Sequence, residues 1–194
     1  VALAAAQLGA QATIFMSEAT PTNKVEATRG YGAEVILVGE SFQEAYEASL
    51  EYQQETGATY IHPFDDYDIM AGQGTIAVEM LSQQPDLDTL IVPIGGGGLI
   101  SGIAVAAKSI NPDIRVIGVQ TDRAPSMFNA YHQGLVERLQ NVSTIAEGIA
   151  VKEPGQLTLP IINKYVDDVI CVSEAEIADA MIYLLERSKT LVEG

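Results

Sequence analysis

Four consecutive glycines, Gly95 to Gly98, stand between an apolar run, Thr89 to Ile94, and a helix-like pattern that begins at Leu99. A strand that feeds a glycine-rich turn and then opens a helix is an anion site. Backbone N–H groups point inward, no side chain obstructs them, and the helix N-terminus adds partial positive charge. Each glycine costs roughly 0.5–1 kcal/mol of backbone entropy relative to alanine. A plain strand–helix turn is served by one glycine and does not account for four in a row.

Three phosphate ligands compete for such a loop. A nucleoside-triphosphate loop needs Lys and then Ser or Thr directly after its last glycine. Leu99 and Ile100 occupy those positions, so that chemistry is disfavoured. The dinucleotide fingerprint G-x-G-x-x-G is not met strictly, but a looser G-x-G-x-x-x-G runs through Gly96, Gly98 and Gly102. Asp122 follows the next apolar run, where a dinucleotide ribose would be held. A nicotinamide-nucleotide module therefore stays open. The third ligand is a single phosphate monoester, such as that of pyridoxal phosphate.

The elements that would position this loop alternate along the chain. Strands are expected at Ala12–Met16, Ala33–Gly39, "TYIHPF" (Thr59 to Phe64), "DTLIVPI", "IRVIGVQ" and "DDVICVS". Helices are expected between them. One is capped by Thr20, with Pro21 at its first position and Gly32 at its end. The next runs from Ser41 to Gly57, and further helices follow over "DYDIMAGQGTIAVEMLSQQ" and "LISGIAVAAKSI". Pro154 opens a helix over "PGQLTLPIINKYV", and Ser173 with Glu176 forms a capping box for the closing helix over "EAEIADAMIYLLERSKTLV". Strands apolar on both faces, separated by helices, predict an α/β fold with doubly wound parallel sheets. Turn residues cluster near "HPFDDYD", which predicts two lobes, 1–66 and 67–194, both partial. The opening "VALAAAQLGA" reads as a helix already in progress, and "ERSKTLVEG" ends without a stop signal, so the expectation is a piece of a longer protein.

Composition bounds the partners. The 194 residues carry 26 acidic against 10 basic side chains, a net charge of −16, which repels nucleic acid and anionic membranes. No apolar run reaches membrane-spanning length. With 47% hydrophobic residues a buried core is expected, and the lone Cys171 excludes an internal disulfide and suits a reducing, cytoplasmic compartment.

Six separated motifs sharpen the choice of ligand: "KVEATRGYGAEV", "HPFDD", "AGQGTIAVEML", "IVPIGGGGLISGIAVAAK", "AEGIAVKEPG" and "ERSKTLVEG". In this order they resemble the threonine ammonia-lyase (threonine dehydratase) family, pyridoxal-phosphate enzymes of the tryptophan-synthase-β fold type, with serine racemases as near relatives. The resemblance runs over essentially the whole chain. It implies pyridoxal 5'-phosphate as cofactor, held by the N–H groups of Gly95, Gly96, Gly97, Gly98 and Leu99. Glu147 and Gly148 match the family's acid–glycine pair beside the cofactor ring, and Glu193 matches an acid near the pyridine edge. The implied reaction is dehydration and deamination of threonine or serine to a 2-oxo acid and ammonia, in isoleucine biosynthesis or threonine catabolism. The family habit implies a homodimer or homotetramer.

Two departures qualify what the resemblance implies. The family's Schiff-base lysine lies in a Ser-Phe-Lys-type motif that is not in this sequence. Lys24, Lys108, Lys152, Lys164 and Lys189 read as solvated helix or loop cations, so this chain alone is not expected to be a competent enzyme. Serine racemases place a divalent cation on two acids and a carbonyl after the strand that matches "VIGV". Gln120, Ala124 and Ser126 stand there instead, and neutral groups weaken a hard-cation site. His62 and His132 are far apart in sequence and read as structural, so no metal is expected.

Overall fold

The computed structural model describes residues 1–40 and 42–194. They divide into two compact units, Val1–Tyr60 and Ile61–Gly194. The chain has α/β architecture with parallel sheets in both.

The first unit holds α1 (Ala2–Gln7), β1 (Thr13–Met16), α2 (Thr22–Gly30), β2 (Glu34–Leu37) and α3 (Phe42–Thr56). β1 and β2 pair in parallel, with Ile14 opposite Val35. Glycines stop the helices as the sequence predicts: Gly9, Gly32 and Gly57 all have positive φ. The start of α2 differs by a residue. Pro21 is its N-cap, not its first helical position, because ψ is 133° there and only its carbonyl enters the helix. The cap expected at Ser41 lies outside the described residues.

The second unit contains α4 (Tyr67–Gln83), β3 (Thr89–Pro93), α5 (Gly98–Ile110), β4 (Arg115–Thr121), α6 (Ser126–Gln133), α7 (Thr158–Tyr165), β5 (Asp168–Val172) and α8 (Glu174–Tyr183). The strands form one parallel sheet in the order β3-β4-β5, with Val92 opposite Gly118 and Gly118 opposite Val169. Leu90, Val92, Ile94, Val116 and Val169 point to one side and are buried with Ile100 and Ile103 of α5, Met127 of α6 and Ile162 of α7. On the other side Ile91 is 70% exposed and Ile170 is 41% exposed. The strands were expected to be covered on both faces; within this chain only one face is fully covered.

One polar tie locks the core. Asp167, just before β5, accepts from the Val116 N–H at 2.7 Å and from Lys108 Nζ at 2.8 Å. Burial pushes the Asp167 carboxyl up. The hydrogen bonds from Lys108 and Val116, with the charges of Lys108 and Arg115, outweigh it and hold the carboxyl below its ordinary value. Lys108 is therefore not the solvated cation the sequence suggests.

Three further expectations fail for identifiable reasons. "TYIHPF" is not a strand, because Nδ1 of His62 accepts the N–H groups of Phe64 (3.1 Å) and Asp65 (2.7 Å) and folds the segment into a turn. α7 starts at Thr158, four residues after Pro154. The closing helix gives way after Tyr183 to a π-turn, Leu184–Ser188, and stops at Lys189, which has φ 55°. The capping box of Ser173 and Glu176 is present as expected.

Candidate functional site: the glycine loop

β3 ends at Pro93, the Ile94 N–H still bonds to β4, and the chain then turns through the four glycines into α5. Gly97 is the N-cap, in the left-handed region at φ 99°, with no side chain capping the helix. Gly96, Gly97 and Gly98 are buried. Among the described residues, none of the N–H groups from Gly95 to Leu99 donates to an acceptor. Buried backbone donors are almost always paired. A cluster of orphaned donors at the N-terminus of a 13-residue helix is a site for an anion. A phosphate monoester fits this donor set, which meets it with partial positive charge and no carboxylate of its own.

Close packing explains why the loop must be glycine. A Cβ at Gly96 would strike the Phe64 ring. One at Gly98 would meet the Phe64 backbone at 2.8 Å. At Gly97 it would lie 2.8 Å from both Ile162 Cδ1 and Thr158 Oγ1 and 2.9 Å from Met127 Cε. Phe64 thus backs the loop from one side, and α6 and α7 support it from another. Asp65, next to Phe64, accepts the N–H groups of Gln156 (2.9 Å), Leu157 (2.9 Å) and Thr158 (3.2 Å) at the start of α7. Thr158 Oγ1 donates to the Gly96 carbonyl at 2.7 Å.

A second segment lies alongside. A Cβ on Gly95 would be 3.0 Å from Val151 and 3.3 Å from the Ile149 backbone, so the loop abuts the end of the 3-10 turn Glu147–Ile149. Glu147 and Gly148 are exposed in that turn. Gly194 packs on the Ile145 carbonyl and Ala146, which brings exposed Glu193 to the same segment. Glu193 also borders an apolar cleft of about 320 Å³ walled by Val172, Ile177, Ala180, Met181 and Leu184. Glu147 and Gly148 thus lie in one stretch, 145–151, beside the glycine loop, and the residue after Glu193 packs on the start of that stretch.

That stretch is held by a carboxylate the sequence did not single out. Glu174, the first residue of α8, accepts from Thr144 Oγ1 (2.6 Å), the Ile145 N–H (2.8 Å) and Thr121 Oγ1 (2.9 Å). The Thr144 and Ile145 bonds favour the carboxylate and lower its pKa. A carboxyl depressed by folding contributes above its unfolded value, and the contribution is lost as pH falls through the lower folded value. The tether therefore holds at neutral pH and releases only in acid. Glu174→Gln is expected to speed amide exchange at Ile145 severalfold at pH 7, after correction for intrinsic rates. Unchanged exchange would show that the carboxylate does not hold this segment.

The remaining candidates lie elsewhere. Lys108 sits in the last turn of α5, about 15 Å along the helix from the glycine loop at its other end. Lys164 lies 4.8 Å from the centre of the Tyr165 ring, Lys189 donates to the Glu186 carbonyl, and Lys24 and Lys152 are exposed. The positions that match the racemase cation site are engaged otherwise: Gln120 Oε1 accepts from the Phe128 N–H (2.9 Å) and Ser126 Oγ donates to the Val151 carbonyl (3.2 Å). Among the described residues no three His, Cys, Asp or Glu side chains gather as a metal site. His132 Nε2 lies 2.6 Å from the Val169 carbonyl. His62 acts through its turn, with burial lowering its pKa against the opposing charges of Asp65 and Asp66. Burial and the charge of Asp122 push the Cys171 thiol up to about 11, far from a thiolate nucleophile. Asp122 is exposed beside Arg123, and Gly102 faces α4, so Gly102 does not serve the glycine loop as a dinucleotide fingerprint requires.

A parallel α/β unit with an unpaired, glycine-built anion cradle at a helix N-terminus defines a phosphate-cofactor-binding class. Within that class the chain belongs to the pyridoxal-phosphate dependent enzyme family, whose match spans residues 1–194. It is 52% identical over 194 residues to an L-threonine ammonia-lyase of Thermotoga maritima, covering all of this chain and 48% of that protein. It is 45% identical to a catabolic L-threonine dehydratase of Escherichia coli, again over the whole chain and 59% of the relative. The chain thus spans about half the length of the curated relatives it matches. Among solved structures, a maize serine racemase superposes with a TM-score of 0.95 at 41% identity, over all of this chain and 58% of that one. A tomato threonine deaminase superposes with a TM-score of 0.94 at 37% identity, over all of this chain and 56% of that one.

Proposed function

We propose that the polypeptide carrying this chain is a pyridoxal-phosphate-dependent threonine or serine ammonia-lyase, and that these residues supply its phosphate cradle and part of the cofactor-ring environment. The observation that carries this reading is the set of unpaired N–H groups from Gly95 to Leu99, beside the stretch that bears Glu147 and Gly148. Gly95, Gly96, Gly97, Gly98 and Leu99 would bind the phosphate; Glu147, Gly148 and Glu193 would border the ring. Bound there, pyridoxal phosphate supplies the electron sink that an amino acid needs to lose its α-proton and then its β-hydroxyl. Covalent anchoring falls to a residue outside these 194, since none of the lysines here stands in the Ser-Phe-Lys-type motif that the resemblance requires. We read the first unit as part of a smaller lobe and the second as part of a larger one. We place the protein in the cytoplasm as a homodimer or homotetramer, supported by its acidic composition, its single cysteine and the family's habit. No helix among the described residues is long and apolar enough to cross a membrane.

Both the maize racemase and the tomato deaminase share this fold, so the fold does not choose between their activities. The engaged, neutral Gln120 and Ser126 favour the lyase over a cation-dependent racemase. The whole polypeptide should turn yellow with pyridoxal phosphate, lose that absorbance on borohydride treatment, and release ammonia and 2-oxobutanoate from threonine. Racemised serine without ammonia would favour the racemase. Tight NAD binding without colour would overturn the proposal.

A further inference from the structure

We propose that Thr158 is a positioning residue of the phosphate cradle: its hydroxyl, seated by Asp65, aims the Gly97 N–H into the site. The inference rests on reading the glycine loop as a phosphate site and adds the device that holds its donors in place.

The argument begins with one peptide group. The Gly96 carbonyl and the Gly97 N–H share a trans peptide, so they point in opposite directions. Whatever fixes the carbonyl fixes the donor. Two bonds do so: Thr158 Oγ1 donates to the Gly96 oxygen at 2.7 Å, and the Gly155 N–H donates to the same oxygen at 3.2 Å. Without them the peptide is free to turn, because glycine lacks the Cβ that restricts φ and ψ elsewhere. A loop of four glycines needs such an external hold more than an ordinary turn does.

Thr158 is itself immobilised. It is fully buried, and its N–H is bound by Asp65 Oδ1 at 3.2 Å. Its carbonyl lies 3.4 Å from Ser101 Oγ, on the helix that the glycine loop opens. Asp65 spans the three N–H groups of residues 156–158 and sits so close to Gly155 that a Cβ there would strike the carboxylate. Phe64, one residue earlier, packs on Gly96 and Gly98. A short strap from the turn at His62 thus reaches the loop twice, once by ring contact and once through Asp65, Thr158 and the Gly96 carbonyl. The donor direction is set before a ligand arrives, which lowers the ordering cost of binding.

The test uses the whole polypeptide, with pyridoxal phosphate and its unphosphorylated analogue pyridoxal as probes. Thr158→Val keeps the shape and removes the hydroxyl; Thr158→Ser keeps the hydroxyl. Loss of one buried hydrogen bond that orients a donor to a charged group is expected to weaken pyridoxal phosphate about tenfold in T158V. Pyridoxal binding should stay within about twofold, and T158S should restore the preference for the phosphorylated ligand. A T158V protein with wild-type preference overturns the proposal, as does equal weakening of both ligands that T158S fails to rescue. Should T158V not fold, Asp65→Asn gives the same readout: selective loss of the phosphorylated ligand supports the relay and equal loss overturns it. If the wild-type protein does not prefer pyridoxal phosphate over pyridoxal, the phosphate reading of the loop fails first and the proposal with it.

Discussion

Gly97→Asp is expected to abolish cofactor binding. Gly97 holds φ 99°, a conformation that costs a residue with a side chain roughly 1–2 kcal/mol. Its missing Cβ faces Ile162, Thr158 and Met127 at 2.8–2.9 Å, so any side chain must displace buried neighbours. The aspartate also sets a negative charge where the cradle is built to take one. Two unit charges about 4 Å apart, at an effective dielectric near 20, repel by about 4 kcal/mol, which is roughly a thousandfold in affinity. Gly97→Ala separates these causes, since it carries the strain and the crowding without the charge. It should destabilise the fold by about 2–4 kcal/mol and weaken pyridoxal phosphate less than the aspartate does. Titration of both variants, with thermal melts as control, isolates the charge contribution. Undiminished binding by the aspartate variant would refute the assignment of this loop.

The loop could be read from sequence because its physics is local: strand, glycines and helix are contiguous, and the donors belong to the backbone. The capping box at Ser173 and Glu176 is legible for the same reason. Motif order proposes Glu147, Gly148 and Glu193 as further candidates, and in the structure all three are exposed. Hidden from sequence were the residues that act at a distance. Asp65 satisfies N–H groups 91–93 residues away, so α7 can begin at Thr158 and not at Pro154. Thr158 reaches Gly96 across 62 residues, and Glu174 reaches Thr144 across 30. Periodicity also misjudged coverage. The β3 and β5 strands are apolar on both sides, yet Ile91 and Ile170 are exposed, because the buried cluster with α4, α5, α6 and α7 forms on the side that bears Leu90, Val92 and Val169.

Gly102 shows how one glycine pattern supports two readings that the structure separates, and Gly102→Ala should have a large effect on stability. As part of a dinucleotide fingerprint Gly102 would serve a ligand. Here it lies where α5 crosses α4. A Cβ there would run into the Met70 carbonyl oxygen and come within 2.7 Å of the Gly74 nitrogen. Both neighbours are backbone, so no rotamer change relieves the clash; the helices must separate. Overpacking of this kind costs about 3 kcal/mol. For a polypeptide of this size, each kcal/mol lowers the melting temperature by roughly 2–4 °C, which predicts a fall of about 6–12 °C. Gly72, also in α4, has nothing within 4 Å of its would-be Cβ. Gly72→Ala should therefore be neutral or stabilise by up to about 1 kcal/mol, from helix propensity alone. The pair of melts sets packing against propensity within one helix–helix contact. Because α5 opens at the glycine loop proposed to bind the phosphate, the displacement in G102A should also weaken pyridoxal phosphate binding. A G102A protein that melts like the wild type would show that the two helices yield without cost, and the close crossing would lose its claim to hold α5 in place.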